Sequence, residues 1–209
     1  MYIMYTIRTV FMAILYIASW YGIEKSHIKN KRKWLMISGI LVIILWVLSP
    51  FVLVENLFYT FKTPEAAFEY WQPDVEKILL VAEGKESAFL VAQEDANTLT
   101  IGIAVRADNG WKLASPFDYS CLQDEYSESG GVEVYQYKDT GDYYVSADSF
   151  GGEDYEISDN KNSEFSYTSI KNDTIGYTRH LYLGYVPDID ENYVVSINGE
   201  EFLKMCDAY

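Results

Sequence analysis

Two long apolar runs lie at the start of the chain. Residues 34–54 form 21 consecutive uncharged positions, and at ~1.5 Å rise per residue such a helix crosses a hydrocarbon core of ~30 Å. Residues 2–23 are also long enough to cross but include Arg8, whose charge would have to extend outward to the lipid headgroups. We therefore predict a multi-pass membrane anchor over residues 1–55 with two transmembrane helices, and a single crossing at 34–54 is the alternative.

A basic segment separates the two apolar runs. Short loops rich in lysine and arginine are retained in the cytoplasm, and tryptophan concentrates at the membrane interface. Residues 24–33 are such a loop, so the chain after residue 55 is predicted to be extracytoplasmic. A cleaved signal peptide is disfavoured, because the basic residues follow the apolar run and no small-x-small cleavage site is evident. The residues expected to set this topology are Trp20, Trp34, Lys29, Lys31, Arg32 and Lys33.

The next predicted element is a short helix at residues 64–72. Thr63 is a favoured N-cap residue, and Pro64 is suited to the first helical position. Pro73 would end the helix. We expect this helix to cover one face of a sheet.

Beyond the helix, apolar positions recur with a period of two. Residues 99–105 alternate apolar and polar or small side chains, as in a strand with one buried face. A turn sequence at 107–110 leads into a further short strand. Residues 75–116 therefore predict a four-stranded antiparallel meander, and with the helix they form a predicted domain at 56–120.

Residues 121–131 are polar and acidic and predict a long loop or a boundary between subdomains. After them, short strand patterns recur about every ten residues with turn signals between them, such as Asn198-Gly199. This spacing is typical of an immunoglobulin-like β-sandwich, which we predict for residues 130–209. The predicted fold class is mainly β with N-terminal transmembrane helices.

The distribution of charge narrows the classes of partner. From residue 55 onward, 10 Lys and Arg stand against 30 Asp and Glu, a net charge of −20. So acidic a domain repels phosphate backbones, which excludes nucleic acid as a partner. Cations and basic peptides stay open as ligands, although a charge that keeps an exposed domain soluble is the simpler interpretation.

Both cysteines of the chain, Cys121 and Cys206, lie in the acidic part. If that part is exported, a disulfide between them is permitted. Closing a loop of about 85 residues would stabilise the fold by roughly 4 kcal/mol on the chain-entropy view. Two unpaired, partly buried thiols are the favoured interpretation, and no C-x-x-C spacing indicates a redox or zinc site.

Signatures of catalysis and of cofactor binding are lacking in the sequence. No G-x-S-x-G, H-E-x-x-H, Walker or Rossmann pattern occurs. A nucleophile pair of Cys121 with His180 has no local support, and a structural histidine on a strand is favoured. We predict no catalytic residue and no cofactor.

One acidic stretch has the beginning of a calcium loop. Asp188, Asp190 and Asn192 place oxygen ligands at alternate positions, as in an EF-hand. Tyr193 stands where that loop needs glycine, so only a looser metal site is left open. A strand connection in which aspartate and asparagine form the turn is the favoured interpretation.

Two stretches carry a resemblance to known proteins. The sequence FKTPEAAFEYW before a strand-rich run ending NGWKL, and the sequence DTGDYYVSA with DENYVVSINGEEF, resemble small uncharacterised membrane-anchored or secreted proteins of low-GC Gram-positive bacteria. The resemblance implies an extracytoplasmic location and a β-rich fold, and it implies no function. This chain has no lipobox cysteine, which leaves the apolar helices as its anchor.

These patterns favour a membrane-anchored, non-catalytic interaction domain facing the extracytoplasmic side. Its expected partners are the lipid bilayer and an extracytoplasmic protein, peptide or cell-wall component. An immunity-type protein that captures a cationic peptide is a variant of this hypothesis. The alternatives are an envelope-associated hydrolase and a structural subunit of a membrane complex.

Overall fold

The chain divides into two compact units, Met1–Tyr59 and Thr60–Tyr209. The first unit is helical and the second is built from antiparallel sheets. The computed structural model describes residues 2–48, 53–95, 97–128, 130–150, 156–172 and 176–205.

The first unit contains two long helices, α1 (Tyr2–Lys25) and α2 (Lys31–Leu48), followed by a short 3₁₀ helix at Val54–Leu57. Both N-terminal helices occur where apolar runs predicted them. Over the residues that the structure describes, no helix is both long enough and apolar enough to span a bilayer. Residues 49–52 of the predicted span 34–54 lie outside the described residues.

The second unit begins with α3 (Pro64–Trp71), which confirms the predicted short helix. The Thr63 hydroxyl accepts a hydrogen bond from the Ala66 N–H at 3.2 Å, so the N-cap forms as expected. The helix buries Phe68 against the sheet below it. There Gly102 leaves the necessary space, since a Cβ at this position would lie 2.5 Å from the Phe68 ring.

The first sheet is the predicted meander. Its strands follow the chain order in antiparallel pairing, and the second strand is buried at all positions but its last, which makes it the centre of the sheet. The strands are β1 (Lys77–Glu83), β2 (Ser87–Gln93), β3 (Leu99–Ala107) and β4 (Gly110–Leu113).

Two further antiparallel sheets follow. The second sheet has the strand order β5-β6-β7-β10-β9, and the third has the order β12-β11-β8. Their strands are β5 (Tyr119–Ser127), β6 (Gly130–Tyr137), β7 (Asp142–Phe150), β8 (Ile157–Asp159), β9 (Phe165–Asn172), β10 (Tyr177–Pro187), β11 (Val194–Ile197) and β12 (Glu200–Lys204).

The predicted loop at 121–131 is wrong, because most of it belongs to β5. This strand lies at the edge of the second sheet and pairs along its length with β6. Most of its side chains are exposed, so it needs no apolar alternation. Backbone hydrogen bonds to β6 stabilise this strand. The pattern of apolar and polar residues in the sequence does not indicate such bonds.

The second sheet is the central layer of the unit. One of its faces packs on the first sheet, where Tyr144 and Leu183 meet Phe89. The other face packs on the third sheet, where Val145 meets residues such as Val195. The fold is therefore mainly β and antiparallel, as predicted, with a core shared by the segments 56–120 and 130–209. The immunoglobulin-like character of the latter segment stays a prediction.

Candidate functional site: an acidic cleft

An open cleft with a volume of about 320 Å³ lies between the second and third sheets. Its walls come from the C-terminal end of β7, the end of β5 at Ser127, the start of β6 at Gly130 and the turn that joins β11 to β12. We call it the acidic cleft. The residues that line it are Ser127, Gly130, Asp148, Ser149, Ile197, Asn198, Glu200, Glu201 and Phe202.

The end of β7 has a hydroxyl on the cleft side, at Ser149, and a carboxylate on the opposite face, at Asp148, because side chains alternate along the strand. Asp148 accepts hydrogen bonds from Arg179 Nε at 3.0 Å and Nη2 at 2.5 Å, and from the Gly131 N–H at 3.1 Å. Ser149 is only 5% exposed, and its hydroxyl has no hydrogen-bond partner among the described residues. A buried polar group left unsatisfied costs about 1–3 kcal/mol. Ser149 is therefore a group that a bound ligand could satisfy.

The direction of the Ser149 side chain follows from its strand. Side chains alternate between faces along β7, and Val145 and Ala147 face the third sheet, so Ser149 faces it too. Its neighbour in β6 is Gly130. This glycine has φ of +154°, and a Cβ there would lie 2.1 Å from the Asp148 carbonyl oxygen. Only glycine fits here, because any side chain would collide with the β7 backbone.

The opposite wall is formed by the β11–β12 turn. Asn198 and Gly199 have φ of 52° and 80°, the geometry of the predicted hairpin turn. Asn198 Oδ1 accepts a hydrogen bond from the Glu156 N–H at 3.0 Å. A register shift falls at Phe202, between the pairs Ser196–Glu201 and Val195–Leu203, and Glu200, Glu201 and Phe202 all line the cleft.

The cleft offers oxygen acceptors and unbalanced negative charge. Glu200 and Glu201 are exposed and have no ion pair among the described residues, whereas Asp148 is neutralised by Arg179. No family model, curated protein or solved structure matches the chain. The cleft presents carboxylate, hydroxyl and amide oxygens. These acceptors favour a ligand that donates hydrogen bonds and carries positive charge.

The structure separates the two residues considered as a nucleophile pair. Cys121 lies on β5 and His180 on β10, with two strands between them, or about 14 Å at the usual strand spacing. Cys121 is paired with Tyr135, which faces the first sheet, whereas His180 lies on the other face with Tyr182. Burial, with the nearby Glu133 and Asp124 carboxylates, also raises the pKa of the Cys121 thiol. This thiol is therefore poorly suited to nucleophilic attack.

His180 is held as a structural histidine. It is buried, and its Nδ1 lies 2.8 Å from the Tyr167 hydroxyl, with the two rings stacked at 5.9 Å between centroids. Ser149 is its cross-strand neighbour in β7, yet the Ser149 hydroxyl has no hydrogen bond to it. The described residues therefore do not provide the base that would activate this serine.

The stretch proposed as a loose metal site forms a turn. Asp190 Oδ1 accepts a hydrogen bond from the Asn192 N–H at 2.9 Å, and the Asp188 N–H bonds to the Gly141 carbonyl at 3.1 Å. The Lys161 ammonium donates hydrogen bonds to the backbone carbonyls of Pro187 and Asp188. It therefore already places a positive charge at this turn. Among the described residues, no group of three histidine, cysteine or acidic side chains could hold a metal ion.

Cys121 is an exposed free cysteine in the structure and Cys206 lies outside the described residues, so their pairing stays a prediction that follows from the expected extracytoplasmic location. Gln123 Nε2, near Cys121, donates to the Lys204 carbonyl at 2.6 Å, two residues before Cys206. We expect the protein purified without reductant to show no free thiol when unfolded, and we expect reduction to lower its free energy of unfolding by about 4 kcal/mol. Thiol titration in denaturant measures the first effect and urea unfolding the second. Two titratable thiols per chain would contradict the pairing.

Proposed function

We propose that this chain is a membrane-anchored, non-catalytic interaction protein. Its helical unit holds the protein in a lipid bilayer as a multi-pass anchor. Its acidic, immunoglobulin-like β unit faces the extracytoplasmic side and binds a protein, peptide or cell-wall component there. The acidic cleft is the binding site that the geometry favours.

The observation that carries the anchor is the exposure of apolar side chains on α1 and α2. Among their described side chains only Met12 and Ser38 are buried. Met36 is 69% exposed and Ile43 is 64% exposed. Soluble proteins rarely expose so large an apolar surface, and a bilayer would cover it. The exposed set includes Val10, Ile14, Ile17, Trp20, Trp34, Met36, Ile40, Leu41, Ile43, Ile44, Trp46 and Val47.

The contact between the two helices supports the same proposal. The hydroxyls of Ser19 and Ser38 lie 2.6 Å apart. At the next residue, Gly39, an added Cβ would meet only the Tyr16 ring, at 3.7 Å. Small residues and hydroxyl pairs at a helix crossing are typical of helices that associate in lipid, where apolar surface provides no driving force for packing.

The orientation is supported by the loop between the helices. Lys25, Lys29, Lys31, Arg32 and Lys33 make it strongly basic. Such loops are retained in the cytoplasm, and a hairpin anchor then directs the β unit outward.

The anchor and its orientation can be tested by cysteine labelling. We expect His27→Cys, in the basic loop, to react with an impermeant maleimide only after cells are permeabilised. Asp139→Cys, an exposed position of the β unit, should react in intact cells. Both variants are made in a Cys121→Ser, Cys206→Ser background, and the chain should stay with membranes after alkaline carbonate extraction.

Each part of the proposal has its own contrary result. Labelling of His27→Cys in intact cells with protection of Asp139→Cys would reverse the orientation. Release of the chain by carbonate would remove the anchor. Equal labelling of both variants after permeabilisation serves as the control for access.

A further inference from the structure

We propose that the acidic cleft binds the arginine or lysine side chain of a cationic peptide. This inference deepens the proposed function by naming the chemistry of the partner. It rests on the proposed function in one respect, the side of the membrane on which the protein encounters the peptide. The charge, the free hydroxyl and the apolar walls of the cleft account for recognition of the cationic side chain.

The charge of the cleft favours a cation. The Asp148 carboxylate lies on the opposite face of β7 and is compensated by two hydrogen bonds from Arg179, so it adds no unbalanced charge to the cleft. Glu200 and Glu201 are adjacent along β12 and have no ion pair among the described residues. Their pairing with Ile197 and Ser196 is regular, so the two side chains leave opposite sides of the strand, and each adds negative charge at the cleft that attracts a cation. An anionic ligand is excluded for the same reason.

The buried hydroxyl of Ser149 provides a second, independent indication of a ligand. It lies on the face of β7 that borders the cleft, is 95% buried, and has no hydrogen-bond partner among the described residues. An ammonium has three N–H donors and a guanidinium has five. Either group can donate to Ser149 while the carboxylates compensate its charge.

The remaining walls suit the methylene stem of a long cationic side chain. Ile197 and Phe202 are apolar and only partly buried. Lysine and arginine commonly lay their stems along such surfaces, and their cationic groups also interact favourably with aromatic rings. A volume of about 320 Å³ lies at the small end of ligand sites, which fits a side chain better than a large ligand.

A divalent metal ion fits the cleft less well than an organic cation. Within the described part of the chain, no three histidine, cysteine or acidic side chains are close enough to hold a metal ion. Calcium takes six to eight oxygen ligands, and the two unpaired carboxylates supply few of them. Arginine and lysine need fewer, directional acceptors, which the cleft provides.

The test uses the full chain in non-ionic detergent and isothermal titration with a tri-arginine peptide at 50 mM NaCl. We expect saturable binding that weakens at least tenfold at 500 mM NaCl, because screening reduces attraction between charges. A tri-citrulline peptide, which has the same shape without the charge, should not bind. The double variant Glu200→Gln/Glu201→Gln should weaken binding at least tenfold.

Two further variants separate a specific cleft from general surface charge. Asp74→Asn/Glu76→Gln removes two exposed acids of the connection between α3 and β1, outside the cleft, and should change affinity less than twofold. Ser149→Ala should weaken binding about threefold to tenfold and leave the unfolding midpoint unchanged or raised. A merely structural serine would lower that midpoint.

Several results would overturn the proposal. They are an absence of peptide binding, an equal loss in the Asp74→Asn/Glu76→Gln control, unchanged affinity at 500 mM NaCl, or equal binding of tri-citrulline. Spermidine that binds more tightly than tri-arginine, with the same dependence on Glu200 and Glu201, would assign the cleft to a free polyamine. Failure of this titration leaves carbonate extraction and labelling unaffected, so it is distinguishable from failure of the anchor.

Discussion

Replacing Asp142 with alanine should lower the free energy of unfolding of the β unit by about 3–5 kcal/mol. Asp142 begins β7 and is 1% exposed. Its carboxylate accepts hydrogen bonds from the backbone N–H groups of Lys85, Glu86 and Ser87 at 2.7–3.0 Å, and from the Ser87 hydroxyl at 3.0 Å. These groups form the β1–β2 turn, so one side chain ties the first sheet to the second. Alanine would leave the buried Ser87 N–H without its acceptor and would remove the acceptor of the part-buried Lys85 and Glu86 N–H groups.

Urea unfolding of the full chain in non-ionic detergent, followed by tryptophan fluorescence, measures the loss. Asp142→Asn keeps one acceptor oxygen and should lose about 1–3 kcal/mol. Asp139→Ala, three residues away in an exposed turn, should change stability by less than about 0.5 kcal/mol. Equal stability of Asp142→Ala and Asp139→Ala would show that the network contributes nothing to the fold.

A spectroscopic readout accompanies the same substitution. The Tyr185 hydroxyl donates to Asp142 at 3.1 Å. Burial raises the pKa of Tyr185 to about 12, and the Asp142 charge and hydrogen bond contribute to the rise. Removing the carboxylate should therefore lower the pKa of Tyr185, which ultraviolet titration of the tyrosines in the folded variant can detect.

Replacing Phe89 with alanine should lower the free energy of unfolding by about 3–5 kcal/mol, because it leaves a cavity in the shared core. Phe89 is fully buried at the centre of β2. Its ring centroid lies 4.8 Å from that of Tyr135 and 5.4 Å from that of Tyr144, and both tyrosines belong to the second sheet. The phenylalanine thus fills the interface between the two sheets.

Phe117 provides the matched control for this core substitution. It is 77% exposed in the connection between β4 and β5. Phe117→Ala truncates the same type of side chain at a solvent-exposed position. It should change stability by less than about 0.5 kcal/mol in the same urea experiment. A similar loss in both variants would mean that burial between the sheets is not what makes Phe89 stabilising.

Elements with a local signal were predictable from the sequence. Helix α3 has its cap and its first-turn proline next to one another, and the meander has alternating strands with turn residues between them. Strand β5 was missed because its stability comes from pairing with β6, and its exposed side chains carry no pattern. The three-residue β8 was missed for a similar reason, since it is too short to show a period.

The candidate site was predictable only in part. The Asn198-Gly199 turn was evident from sequence, and the acidic pair Glu200-Glu201 follows it directly. Nothing in the sequence distinguishes Ser149 from the chain's other serines, because its burial and its lack of a partner depend on how the third sheet covers β7. The pair Cys121 and His180 was already disfavoured from sequence, and strand order, which local sequence does not encode, places two strands between them.

The sequence by itself determined the apolar runs at the N-terminus, the acidic character of the rest, the predominance of strands and most of the turns. These properties depend on residues close together in the chain, where hydrophobic periodicity and turn chemistry act. Only the tertiary structure decided that the second sheet is the central layer, that Asp142 joins it to the first, and that β7 and the β11–β12 turn enclose an acidic cleft. Those outcomes depend on pairing between distant strands, whose backbone hydrogen bonds are the same for every side chain.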